Sequence, residues 1–71
     1  MMPLSMANSG MSVTIGKVGG KEETRQFLKC LGFTPGSPIT IVSEADGNLI
    51  VNVKESRVAI SKSMAHKILV S

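Results

Sequence analysis

A small, mainly β barrel carrying one α-helix is the fold this sequence predicts, and three observations predict it. One stretch, Lys21 to Leu31, has no Pro or Gly and places Phe27, Leu28 and Leu31 at helical spacing. Most other apolar residues alternate with polar ones in short runs: Val13 and Ile15; Ile39 and Ile41; Leu49, Val51 and Val53; Val58 and Ile60; Ile68 and Val70. That is the period of half-buried strands. Turn residues or short polar segments separate the runs, and in 71 residues such strands are best protected by closure, which removes exposed sheet edges.

Taken in order, Met1 and Met2 are expected to be disordered, and Pro3 to Ala7 can form one helical turn with Leu4 facing inward. Asn8-Ser9-Gly10 reads as a turn, and Val13, Ile15 and Val18 as a strand ending at Gly19-Gly20. In the helix that follows, Glu22 and Glu23 fall in the first turn and Lys29 in the last, complementing the helix dipole. Gly32 suits the left-handed position past the helix end. Leu31 is then the cap residue, and Phe33 is brought against Leu28. Pro35 and Gly36 turn the chain, Pro by fixing φ and Gly by tolerating positive φ.

The next hairpin is a question of parity. A two-residue Asp46-Gly47 loop pairs Val42 with Val51 and puts Ile39 and Ile41 on the wrong face, whereas a three-residue Asp46-Gly47-Asn48 loop pairs Ile41 with Val53. Burial fixes register, so the odd loop is expected, with a bulge. Lys54 to Arg57 then turn the chain, and Val58 and Ile60 are expected to align with Val53 and Val51. Ser61 or Ser63 caps a short turn through Met64-Ala65-His66, and Ile68 and Val70 form the last strand.

Length and composition bound what such a barrel can do. The chain, residues 1–71, suits one small domain, whose core supplies only about 3–5 kcal/mol of net stability. A single cysteine excludes an intramolecular disulfide, and no paired Cys/His spacing marks a structural zinc site. The longest apolar runs are about three residues against the roughly 20 needed to cross a bilayer, and no secretory pattern opens the chain. A cytoplasmic protein is expected. Residues 1–53 carry four basic and four acidic side chains, so the whole net charge of +3 falls in residues 54–71. It reads either as a solvated edge that discourages aggregation or as a positive face for an acidic partner.

With these elements placed, the chain resembles the FeoA family, small cytosolic proteins that accompany the bacterial ferrous-iron transporter. The resemblance rests on Leu4 followed by Gly10, on Leu28-Lys29-Cys30-Leu31-Gly32-Phe33-Thr34-Pro35-Gly36, on Gly47, and on Arg57-Val58-Ala59-Ile60 followed by Ala65, Ile68 and Val70. Leu-Gly-Phe-x-Pro-Gly is its specific part. The resemblance implies an SH3-like barrel and a regulatory role in ferrous-iron uptake, through binding the GTP-hydrolysing part of the transporter. Membrane association would then come only through that partner. A related domain ends some metal-dependent repressors. Phe27 stands where many members have a basic residue, which turns attention from the helix to the C-terminal quarter.

Catalysis is not expected. The chain has one His and one Cys, and Cys30 falls near a helix C-terminus, the wrong end of the dipole for an activated nucleophile. Gly19-Gly20-Lys21 lacks the spacing of a P-loop. For a transition metal the candidates are Cys30 and His66, while thioethers of Met1, Met2, Met6 and Met11 could hold a soft cation such as Cu(I). The simpler reading makes those methionines flexible or core residues and His66 a surface residue, with no cofactor and no high-affinity iron site. A basic barrel binding single-stranded nucleic acid is the alternative from another class, but such sites stack bases on exposed aromatics. Phe27 and Phe33, the only aromatics, are assigned to the core, so no nucleic-acid partner is expected. A protein-interaction domain leads, its partner surface placed at the turn after Gly32 and at Lys54, Arg57 and Lys62. Leu28, Leu31, Gly32, Phe33, Pro35, Gly36, Gly47 and Ala65 are assigned to fold specification.

Overall fold

The computed structural model describes residues 1–71. Six strands form one antiparallel sheet: β1 (Met2–Pro3), β2 (Ser12–Val18), β3 (Pro38–Ala45), β4 (Asn48–Val53), β5 (Ser56–Ser61) and β6 (Ile68–Val70). Their order in the sheet is β1-β6-β2-β3-β4-β5. A 3-10 turn (Leu4–Met6) follows β1, helix α1 (Glu22–Cys30) follows β2, and a one-turn helix α2 (Lys62–Ala65) joins β5 to β6. The sheet curls around a single core of Leu4, Ala7, Val13, Ile15, Leu28, Phe33, Ile39, Ile41, Leu49, Val51, Val53, Ile60, Ala65, Ile68 and Val70. β1 and β5 are its two edges, and α2 packs on both β5 and the 3-10 turn beside β1. The result is a partly open barrel. No helix is long and apolar enough to cross a membrane.

The N-terminus departs from expectation. Met2 and Pro3 pair with Val70 and Leu69, because Leu4 is fully buried and anchors the chain beside β6. The 3-10 turn covers Leu4–Met6, with Pro3 just before it as cap.

The β3–β4 hairpin resolves its parity differently from the expected longer loop. Ala45 faces Asn48 across a two-residue Asp46-Gly47 turn, both residues at positive φ (50° and 77°). The shift comes within β3: Ser43 pairs with Ile50 but Ile41 pairs with Val51, so Val42 is an extra residue in a bulge. One inserted residue returns Ile39 and Ile41 to the face of Val51 and Val53, and all four are buried. Thus the shared face is as expected, while the pairing and the loop length are not. The following turn is also tighter than expected. Lys54 and Glu55 alone make it, at φ 48° and 66°, so Val58 faces Val51 and Ile60 faces Leu49. Ser61 caps α2, its Oγ accepting from the Met64 N–H at 3.3 Å.

At the end of α1 the cap closes as the residues require. The Phe33 N–H donates to Leu28 O at 2.9 Å and the Gly32 N–H to Lys29 O at 3.0 Å, with Gly32 at φ 104°. These are the paired bonds of a Schellman motif. A type II turn follows at once, Pro35 at its second position, Gly36 at φ 88° in its third, and the Ser37 N–H closing on Thr34 O. Leu28 alone of the nine α1 residues is buried, with Leu31 beyond it packed on the core. Phe27, assigned to the core, is 49% exposed. It projects from the helix because its neighbour Leu28 takes the inward position, and two adjacent helical residues point about 100° apart.

Candidate functional site

Between the second half of β2 and α1 lies the molecule's one recess, about 450 Å³ in volume. Gly16, Lys17 and Val18 line it from β2, Arg25 and Lys29 from α1, and Phe33, Thr34 and Pro35 from the loop after the helix cap. Arg25 and Lys29 are four residues apart, one turn above the other on the same face of α1. Across from them stands Lys17. All three cations are exposed, and no carboxylate of the chain is within ion-pair distance of any of them, since the one salt bridge joins Lys62 to Glu44. The recess is therefore a cationic groove with an apolar component from Val18, Phe33 and Pro35.

The loop wall of the groove is rigid for local reasons. Phe33 is buried and fixed by the helix cap, and Thr34 Oγ1 meets Ser37 Oγ at 2.7 Å beneath the Pro35-Gly36 turn. Gly36 donates its N–H to Ile15 O at 2.7 Å and the Ile15 N–H donates to Ser37 O at 3.0 Å. These bonds clamp the turn to β2 immediately before the groove opens.

The residues assigned to a partner surface are not brought together. Lys54 sits in the β4–β5 turn with its stem against Gly32, its Cδ lying 3.5 Å from where a Cβ on that glycine would be. Arg57 is exposed near the same end of β5, whereas Lys62 lies past the opposite end, about 17 Å along the hairpin. Lys62 is also held by Glu44, both side chains about half exposed (45% and 46%). The charge that gathers in space is Lys17, Arg25 and Lys29, from residues 1–53, whose net charge is zero. Two of them had a readable signal, the spacing of four on one helix face; Lys17 had none, because only the tertiary fold brings it to the same recess.

Cys30 is exposed at the last position of α1, and His66 is exposed at the end of α2 with Nδ1 3.3 Å from Ser5 Oγ. No three His, Cys, Asp or Glu side chains gather as metal ligands. The methionine sulfurs have separate surroundings: Met11 Sδ accepts from the Asn8 N–H at 3.2 Å, Met1 reaches over Gly16, Met2 packs on the core and Met6 is exposed. Of the residues assigned to the fold, Leu28, Phe33 and Ala65 are buried, and Gly32, Gly36 and Gly47 all have positive φ.

Compared with known families, the sequence matches the FeoA domain over residues 2–71. The chain belongs to the FeoA family. It is 31% identical over 70 residues to a protein of Methanocaldococcus jannaschii named "Putative Fe(2+) transport protein A", covering 99% of this chain and 85% of that one. Among solved structures, an iron uptake regulatory protein (FeoA) superposes with a TM-score of 0.90 at 33% identity, over 99% of this chain and 93% of that one. A FeoA from Stenotrophomonas maltophilia, crystallised with zinc and described as a prokaryotic SH3 domain protein, gives 0.87 at 25% identity, over 100% and 91%. The partly open barrel is thus the SH3-like fold of the family, with the Leu-Gly-Phe-x-Pro-Gly element forming the Schellman cap and type II turn beside the groove.

Proposed function

We propose that the chain is a non-enzymatic accessory protein of ferrous-iron uptake that acts by binding the GTP-hydrolysing cytoplasmic part of the iron transporter. The match to the FeoA family from end to end of the domain carries this reading. The groove suits such a role: a rigid turn on one side and a helix on the other hold three unneutralised cations over partly apolar walls. That combination supplies both steering and a contact surface. Location in the cytoplasm follows from the partner.

The test is an amide-shift titration of labelled protein against the transporter's GTP-hydrolysing domain, single-stranded DNA and Fe(II) in parallel. Saturable shifts with the domain alone are expected. Sub-micromolar stoichiometric Fe(II) binding would instead make this a metal-binding domain. Shifts that vanish at moderate salt for every anionic partner would reduce the interaction to charge, and saturable shifts centred on exposed Phe27 with DNA would favour base stacking.

A further inference from the structure

The groove has a property that its charge alone does not convey: one of its walls is a free strand edge. β2 pairs with β3 only through Ser12, Val13 and Thr14, whereas it pairs with β6 through Ile15, Lys17 and Val18. Beyond Ile15, β2 therefore has a strand neighbour on one side only. Three consecutive residues, Gly16, Lys17 and Val18, line the groove. Gly16 presents only backbone there, so that wall is formed in part by the main chain of β2. The hydrogen-bond pattern agrees. Gly19 donates to Lys67 O across β6 at 2.7 Å, and because bonding direction alternates along an antiparallel strand, the N–H and C=O of Val18 point away from β6 toward the groove.

We infer that this groove binds an extended acidic segment of a partner protein, which pairs its main chain with the outward N–H and C=O of Val18 on the free edge of β2 and sets carboxylates against Lys17, Arg25 and Lys29. Edge pairing gives a main-chain register, and the alternate side chains of the added strand are then read by the walls. Acidic residues on the α1 side meet Arg25 and Lys29, neither of which is within ion-pair distance of a carboxylate in this chain. Apolar residues between them meet Pro35 and Val18. This deepens the accessory reading and rests on it only for which protein carries the segment.

The probe is an acetylated, amidated heptapeptide alternating Val and Glu, titrated into the labelled full chain and by calorimetry at two salt concentrations. Expected are amide shifts confined to residues 16–18, 25–29, 33, 34 and 36, and binding weakened about tenfold or more by Arg25→Gln with Lys29→Gln. Both side chains are exposed, so the double variant keeps its fold. A peptide of the same sequence N-methylated at alternate residues keeps its charge but cannot pair, and it should bind at least about tenfold more weakly. Equal binding by the methylated peptide overturns strand addition, as do shifts centred on Lys54 and Arg57. If the peptide fails while the transporter's GTP-hydrolysing domain binds elsewhere, this inference is lost and the accessory reading survives; a bound peptide with no response to that domain gives the reverse.

Discussion

Gly32 holds the chain where no side chain would willingly go. At φ 104° it lies outside the space open to a β-branched residue, while a Cβ there would meet Val53 and Lys54 only at ordinary contact, 3.5 Å. Backbone strain and not crowding is therefore the cost of replacing it, about 1–3 kcal/mol. Gly32→Val should lower the melting temperature by several degrees, at about 4–8 °C per kcal/mol for a domain of this size; an unchanged transition would remove the cap assignment. The converse applies at the β4–β5 turn, where Lys54 and Glu55 both occupy left-handed backbone. Turns of this type favour Asn-Gly, so Glu55→Gly should stabilise by about 0.5–1 kcal/mol, read as a higher denaturant midpoint at unchanged slope. Lower stability would mean that the Glu55 side chain makes a contact more valuable than the strain it imposes.

Each helix is held by a small number of interactions. α1 contributes one buried side chain, Leu28, and one cap, so its remaining surface is free to carry Arg25 and Lys29 into the groove. Leu28→Ala removes that anchor at a cost of about 2–5 kcal/mol, comparable to the entire stability of such a domain. Loss of dispersed amide spectra at room temperature is the expected result, and a folded variant would mean that the sheet stands without α1. α2 depends on Ser61, and Ser61→Ala should cost about 1 kcal/mol, seen first as faster amide exchange at Met64. By contrast the Lys62–Glu44 pair is half exposed and contributes little, within about 1 kcal/mol. The hairpin shows where local reading stops. Alternation showed correctly that Ile39, Ile41, Val51 and Val53 share a face, but an extra residue in the turn and a bulge at Val42 satisfy that parity equally, and strand twist and packing choose between them.

For the whole molecule, the sequence by itself determined the order of the elements after Pro3, the helix cap, the Pro35-Gly36 turn, the inward face of most strands and membership of the FeoA family. All of these rest on interactions between residues near in sequence or on alternation against one core, where the physics is local. Tertiary structure alone decided the site. The net charge counted along the chain pointed to residues 54–71, yet in space Lys62 is held by Glu44 and separated from Lys54 and Arg57, while Lys17, Arg25 and Lys29 converge from two elements. It also decided that Phe27 faces outward and that Met2 and Pro3 join the sheet beside β6. Charges act through space, and which ones become neighbours depends on where α1, anchored in the core by Leu28, sits relative to β2, a distance that no count along the chain contains.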